Sequence, residues 1–127
     1  MHELIIKGKI VTYNFFPGEN EEISHGEFLI QNPSREEKSI KIEECFFLEG
    51  ERKNKIEIFF VYAEDAELTH TISLQPLSEM DIKLSFPVQR VNAGSNSIYG
   101  IEIIVCYDSH ILKAVSEIRI ESEKEAE

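Results

Sequence analysis

The sequence predicts an all-β domain, in which about seven to eight antiparallel strands form a two-sheet sandwich. Apolar and polar residues alternate over many short segments, which is the period of a strand with one buried face. Val, Ile, Phe and Tyr dominate these segments and favour strands over helices. Short stretches of Gly, Pro, Asn and Asp separate the segments and predict turns. No segment shows a convincing helical period.

The stretch from Ser97 to Ile120 predicts a long hairpin, around which the other strands are organised. Its first arm contains the continuous apolar run Ile103–Val105, as expected of a central strand that is covered on both faces. Its second arm alternates apolar and charged residues from Leu112 to Ile120, which predicts one buried face and one face in water. Residues 108–110, Asp-Ser-His, are short polar residues typical of a turn.

The N-terminal half predicts three strands before the first long polar loop. Residues 2–16 form one strand region whose apolar parity changes midway. Gly8, or a bulge near Ile10 and Val11, would let this strand serve both sheets. Residues 17–20, Pro-Gly-Glu-Asn, predict a turn, and the second strand, residues 22–31, ends at an Asn-Pro-Ser sequence. The third strand spans residues 40–48, and its phase slips around Glu44.

Three further strands precede the hairpin. Residues 50–55 predict a polar loop, and residues 56–62 predict the fourth strand. Strict alternation from Leu68 to Leu74 predicts the fifth, and residues 82–89 predict the sixth. Because proline cannot donate to a sheet ladder, Pro87 predicts that the sixth strand, or at least its end, lies at an edge.

The domain organisation is simple. Residues 1–121 predict a single β-sandwich domain, since a chain of 127 residues is near the typical size of one domain. Residues 92–97 predict a flexible connector. Residues 122–127 predict an acidic, disordered tail, because they contain almost no apolar residue.

Composition argues against two classes of partner. Thirteen basic residues and 24 acidic residues give a net charge of −11, which repels nucleic acid and anionic lipid. No stretch approaches the ~20 apolar residues of a membrane helix, and the N-terminus lacks a signal-peptide pattern. We therefore expect a cytoplasmic protein if the chain is complete, and an extracellular one if a leader has been removed. Cys45 and Cys106 are expected to be reduced packing residues rather than a disulfide.

No catalytic, nucleotide or metal motif is present, so we expect neither an enzyme nor a cofactor. The weak candidates for a metal or ligand site are His70, Asp108 and His110. His70 lies on the apolar parity of its strand, which is more typical of a core histidine. Asp108 and His110 share one turn with Tyr107, but neighbours in a turn point apart and cannot form a triad.

Two fragments resemble a known type of module. Residues 28–42, FLIQNPSREEKSIKI, resemble the strand, Asn-Pro turn and strand near the start of immunoglobulin-like and fibronectin-III-like modules. Residues 74–86, LQPLSEMDIKLSF, resemble their later Leu-x-Pro and Ile-x-Leu step, and the closing hairpin is similar to their last two strands. Cell-adhesion-related modules of bacteria and archaea carry this layout. Water-stress domains of the late-embryogenesis-abundant type are similar at residues 32–33 and 86–88. The resemblance implies an immunoglobulin-like sandwich and transfers no functional residue.

Three functions remain open at this level. The leading hypothesis is a non-enzymatic module that binds a protein partner through an exposed strand edge or the loops at one end. A homodimer through such an edge is its simplest form. The alternative is a small-ligand or metal-binding domain that uses His70, Tyr107, Asp108 and His110. The third, a stress-protective structural protein, is implied only by the water-stress resemblance.

Overall fold

The computed structural model describes residues 3–15, 21–91 and 98–122, and every regular element in these ranges is a strand. No helix in the described ranges is long and apolar enough to cross a membrane. The strands are β1 (Ile5–Gly8), β2 (Val11–Phe15), β3 (Glu22–Asn32), β4 (Lys38–Glu49), β5 (Arg52–Lys55), β6 (Phe60–Ala63), β7 (Ala66–Leu68), β8 (Thr71–Leu74), β9 (Ser78–Arg90), β10 (Tyr99–Tyr107) and β11 (His110–Ser122).

The strands form two sheets, which confirms the predicted all-β sandwich. Sheet A has the order β1-β3-β9-β6-β7. Sheet B has the order β2-β11-β10-β4-β5, and β8 also pairs with β4. All pairs are antiparallel except β2 with β11, which is parallel.

The core lies between the sheets and consists of the inward positions of the alternating strands. Because side chains of a strand alternate between faces, each long strand contributes every second residue to it. The most deeply buried members are Phe28, Ile23, Ile30, Ile40, Ile42, Leu74, Leu84, Ile101, Ile103, Val61 and Val105.

The first strand changes sheet where its parity changes, as the sequence predicts. β1 pairs with β3 in sheet A, and β2 pairs with β11 in sheet B. Gly8 passes so close to β11 that an added Cβ would overlap the carbonyl of Val115. The buried Ser116 hydroxyl donates to the Lys9 carbonyl at 2.6 Å and accepts from the Glu27 amide at 3.1 Å. This hydroxyl therefore joins β11 to β3 and to Lys9, the residue that follows β1.

The closing hairpin is also confirmed. β10 pairs over its whole length with residues 110–118 of β11, and Asp108 and Ser109 both have positive φ, of 43° and 65°, as in a type I′ turn. β10 lies between β11 and β4, so it is the predicted central strand. One part of the prediction is wrong, because the outward residues of β10, among them Ile104, are only half-buried. Of the described elements, those with extensive contact to β10 are its two sheet neighbours and β3 across the core.

Two boundaries differ in the middle of the chain. The predicted loop 50–55 contains β5, because Gly50 at φ 60° reverses the chain and Arg52–Lys55 pair with the end of β4. The predicted strand 56–62 begins only at Phe60. Ile56–Phe59 instead cross from sheet B to sheet A, and both end residues of this crossing are buried. Ile56 and Phe59 anchor this crossing in the core, and the pairing with sheet A begins only at Phe60.

The prediction of one strand from Leu68 to Leu74 is wrong. β7 belongs to sheet A and β8 to sheet B, and the chain changes sheet at Thr69 and His70. The His70 carbonyl accepts from the Ile42 amide at 2.8 Å, which begins the pairing of β8 with β4. The alternation of apolar and polar residues continues through Thr69 and His70 because β7 and β8 both turn their even-numbered residues toward the core. The sequence pattern alone therefore does not reveal the change of sheet. This division, the division of the first strand and the additional β5 explain why eleven strands replace eight.

Two bulges account for the irregular positions in the sequence. In β4, Glu44 faces Ile104 while Ile42 faces Val105, so Glu43 is the extra residue and the predicted phase slip is confirmed. In β9, pairing with β6 ends at Ser85, and Pro87 follows within a bulge. The end of β9 is therefore open on the β6 side, as proline predicts.

Three predicted segments lie wholly or largely outside the described residues: the turn 17–20, the connector 92–97 and the tail 122–127. Of the tail, only the Ser122 backbone is described, as the end of β11.

Candidate functional site

The candidate ligand residues occupy different corners of the fold. The His70 ring stacks on Phe59, with centroids 4.3 Å apart and planes 3° apart. Its Nε2 lies 3.1 Å from the Phe59 carbonyl oxygen. His70 is therefore held against the segment that crosses between the two sheets.

Asp108 and His110 do share the β10–β11 turn. Asp108 Oδ2 lies 3.4 Å from Lys38 Nζ, and this hydrogen bond raises the pKa of Lys38. The exposed His110 ring lies 5.6 Å from the ring of Tyr107. Within the described ranges, no three His, Cys, Asp or Glu side chains are placed to hold a metal ion together. The ligand-binding hypothesis stays a prediction.

The structure offers a different feature, a groove at one end of sheet A that we call the Ile5–Leu77 groove. It has a volume of about 630 Å³. Two of its walls are large exposed apolar side chains, Ile5 at 41% and Leu77 at 68% exposure. Its lining residues are Ile5, Gln31, Asn32, Pro33, Leu77, Ser78 and Glu79.

The groove is shaped by the buried amide of Asn32. Asn32 Nδ2 donates to the carbonyls of Glu36 at 2.8 Å, Gln75 at 3.0 Å and Leu74 at 3.2 Å, and its two hydrogens are shared among them. Its Oδ1 accepts from the Ser34 amide at 3.1 Å and hydroxyl at 2.7 Å. The β3–β4 turn and the β8–β9 turn are thereby held side by side.

Leu77 is placed at the groove by an unfavourable backbone conformation. Its φ is 53°, a region that costs roughly 1 kcal/mol or more for a residue with a Cβ. Its amide donates to the Ser34 carbonyl at 2.9 Å, which fixes the turn. A large apolar side chain is thus held in solvent by a strained turn, a combination that folding alone does not explain.

An open strand edge runs beside the groove. Among the described strands, β1 pairs only with β3 and forms one edge of sheet A, with Ile5 opposite Gln31. Two other edges, β7 and β5, are less suited to receive a strand. β7 has only three residues, and the four residues of β5 include Arg52, Lys53 and Lys55, which is a common way to block edge pairing.

The sequence did not predict this groove, because neither Asn32 nor Leu77 carries a local sequence signal for it. The Asn-Pro-Ser sequence was identified as a turn, but its contact with the β8–β9 turn is a long-range feature. Leu77 lies between the fifth and sixth predicted strands, and nothing in the sequence indicates positive φ for a leucine. Two isoleucines in a short first strand were the only available signal for an apolar edge.

A second polar cluster holds β2 against β3. The Tyr13 hydroxyl lies 2.8 Å from His25 Nδ1 and accepts from the backbone amides of His25 at 3.0 Å and Ser24 at 3.3 Å. These amides lie beside the β9 bulge, where Ser24 faces three residues instead of one. Burial lowers the pKa of His25, and the positive charge of Lys83 lowers it further, against a smaller opposite effect of Glu27.

The stability of the domain is expected to fall between about pH 7.5 and about pH 5.5, across the ordinary histidine value of 6.5. Below that value the unfolded chain binds a proton at His25 that the folded chain resists, so protonation favours unfolding. Urea unfolding at the two pH values measures this effect. The His25→Gln variant should lose part of the dependence, whereas His110→Gln, which changes an exposed ring, should keep it. Equal pH dependence in all three proteins would contradict this account.

Comparison with protein-family models finds no match, and comparison with curated protein sequences finds no relative. Solved structures do match. The chaperone DraB of Escherichia coli is 11% identical with a TM-score of 0.53, and the match covers 95% of this chain and 55% of that chain. A family 123 glycoside hydrolase of Clostridium perfringens is 8% identical with a TM-score of 0.51, covering 91% of this chain and 27% of that one.

The periplasmic chaperone SfaE is 8% identical with a TM-score of 0.48, covering 96% of this chain and 58% of that one. This chain therefore spans less than two thirds of each of these three proteins. Identities this low show the fold alone. Together with the two sheets described above, the matches to DraB and to the glycoside hydrolase define an immunoglobulin-like β-sandwich.

Proposed function

We propose that this chain is a non-enzymatic protein-interaction module that binds an extended segment of a partner at the β1 edge. The main observation behind this proposal is that β1, an open edge strand, lies beside the Ile5–Leu77 groove. Main-chain groups of an edge strand can pair with an added strand, and a neighbouring pocket can select one of its side chains. The strained, exposed Leu77 supports this proposal, because strain of this kind concentrates at binding sites.

The expected partner segment is extended, has an apolar residue at alternate positions and carries net positive charge. The apolar residue would fill the groove between Ile5 and Leu77. The net charge of −11 would attract a basic segment over distance, and Glu79 supplies an acidic group on the groove itself. Lys7 is the cation on β1, so basic residues of the partner belong at the Glu79 end.

Short synthetic peptides that alternate valine with lysine test the proposal directly. We expect them to slow amide hydrogen exchange in β1 and to shift the amide signals of Ile5 and Leu77 in NMR titrations. Leu77→Asn should weaken binding about tenfold or more, on the scale of one lost apolar contact. Asparagine tolerates positive φ, so this variant is not expected to lose stability.

Ile58→Asn is the matched control, because Ile58 is equally exposed at 62% but lies in the crossing between the sheets. It should bind the peptides as the wild-type protein does. Absence of any peptide effect on β1, or equal affinity of the Leu77→Asn and wild-type proteins, would overturn the proposal.

A further inference from the structure

The outer face of sheet B carries an apolar patch that no other element of the fold explains. Its members point away from the core on the three central strands of this sheet. Val115 is 43% and Ile111 is 65% exposed. The patch, which we call the outer patch, consists of Phe46, Leu48, Ile104, Cys106, Ile111 and Val115.

The pairing register places these residues side by side in rows. Directly opposite residues in an antiparallel pair share a face. Ile104 lies opposite Glu44 on β4 and Lys113 on β11, and Glu102 in the next row lies opposite Phe46 and Val115. The apolar side chains therefore lie on all three strands, and charged side chains lie among them. Glu44 and Lys113 flank Ile104, Lys41 lies beside Cys106, and Glu102 lies between Phe46 and Val115.

Contacts within the patch show that it is ordered. Val115 and Leu48 close over Gly100, since a Cβ at Gly100 would meet Val115 Cγ1 at 3.1 Å and Leu48 Cδ1 at 3.6 Å. Lys53 Nζ lies 4.3 Å from the centre of the Phe46 ring and 2.6 Å from Glu102 Oε1. The central acid is thus neutralised by its own lysine, and the patch presents a largely apolar surface.

The sequence of β10 is that of a strand covered on both faces, since residues 103–105 are all apolar. Among the described elements, those with extensive contact to β10 are its sheet neighbours and β3 across the core, and its outward residues are only half-buried. We infer that a second copy of this chain covers the outer patch, so that two B sheets stack face to face around a twofold axis nearly parallel to β10. This surface lies on the other sheet from the proposed β1 site and does not depend on it.

Glu44 and Lys113, on either side of Ile104, indicate which molecule covers the patch and how it is oriented. A twofold axis along β10, in the plane between the copies, places each β11 over the β4 of the other copy. Lys113 then faces Glu44 of the second copy, and Glu44 faces its Lys113, so this row is complementary to itself. Glu102, which lies on β10, faces Glu102 of the second copy, and each is paired with its own Lys53 at 2.6 Å. An axis across the strands would instead set Lys113 against Lys113 and Glu44 against Glu44. Aligned stacking of sheets is also a common packing geometry.

The area predicts a weak dimer. Three strands about 4.8 Å apart and about eight residues of 3.3 Å each give a footprint of roughly 400 Å² per copy. Stable interfaces bury about 800 Å² per partner, and smaller ones belong to weak complexes. We therefore expect association in the micromolar to millimolar range.

Sedimentation equilibrium across this range tests the inference with a charge-swap series. The wild-type protein should form dimers as its concentration rises. Lys113→Glu and Glu44→Lys should each remain monomeric, because each faces like charges across the axis. An equimolar mixture of the two variants should form heterodimers. The glutamate introduced by Lys113→Glu then faces the lysine introduced by Glu44→Lys, and the native Glu44 of the first variant faces the native Lys113 of the second. Lys7→Glu makes the same charge change on sheet A and should dimerise as the wild-type protein does.

Cys106 gives a second, independent measurement. The axis places Cys106 over Cys106 of the second copy, about 10 Å away, the usual spacing of packed sheets. A short bis-maleimide linker should therefore give a covalent dimer that Cys106→Ser abolishes. Cys45 faces the core and should not compete, because burial raises the pKa of its thiol to about 12.

A wild-type protein that is monomeric over the whole range would overturn the inference. So would a dimer that Lys113→Glu leaves unchanged, a mixture of variants that stays monomeric, or a dimer that does not cross-link through Cys106. The β1 peptide experiment remains valid in each of these cases, so the two proposals can fail separately.

Discussion

The Asn32→Ala variant is expected to lose about 3 kcal/mol or more of its free energy of unfolding. The side chain is 1% exposed, and its amide is the donor for three carbonyl oxygens of two different turns. Each buried acceptor left unpaired costs about 1–3 kcal/mol. For a domain of this size, where 1 kcal/mol is worth about 2–6 °C, the melting temperature should fall by about 10 °C.

Thermal and urea unfolding measure this change. Asn54→Ala removes the same side chain from an exposed position on β5 and should change stability by less than about 0.5 kcal/mol. Asn32→Asp keeps an acceptor for Ser34 but places a second oxygen against the carbonyls, so it should be as harmful as alanine. A loss below about 1 kcal/mol for Asn32→Ala would show that water replaces the amide and that the turns are not joined by it.

The Gly8→Ala variant is expected to be the other severe change, with a loss of at least about 3 kcal/mol. The added Cβ would overlap the Val115 carbonyl and lie 2.7 Å from the Ser116 amide nitrogen. Both neighbours are backbone in a sheet, so they cannot rotate away, and overpacking typically costs 1–3 kcal/mol even against side chains. The crossing from β1 to β2 would have to move, with loss of the Ser116 hydrogen bonds.

Urea unfolding and NMR spectra of the variant test this expectation. Lys7→Ala, one residue earlier on an exposed position, should be nearly neutral. If Gly8→Ala unfolds at the wild-type urea concentration, the first strand does not approach β11 as closely as described. Loss of Ser116 alone, in Ser116→Ala, should cost less, since it removes two hydrogen bonds and no backbone space.

The strands that pair over their full length were predictable from sequence, and the corners were not. The closing hairpin shows its central arm, its turn and its single buried face in the alternation of residues 97–120, because pairing and burial act on the same period. The sheet change at Gly8 was predictable for a related reason, since a parity change requires a new buried face. Thr69 and His70 gave no such signal, because the strands on both sides of that corner bury the same parity.

The sites were less predictable than the fold. The groove depends on two turns about forty residues apart, which Asn32 joins, and no local pattern reports such a contact. The histidines and Asp108 are candidate ligands because of their side-chain chemistry, yet the His70 ring stacks on Phe59 in a separate part of the fold. The outer patch was present in the sequence as the run 103–105. The run predicts a strand that its own domain covers on both faces, because apolar residues that pack within a domain and apolar residues that pack against another molecule give the same sequence pattern.

The parallel pairing of β2 with β11 has a mechanical consequence. Tension applied to β1 and to the end of β11 would pull these two strands lengthwise in opposite directions. Five paired positions, from Val11 with Ile118 to Phe15 with Ser122, would then resist together instead of opening one after another. The parallel pairing of β2 with β11 is therefore suited to resist tension directed along these strands.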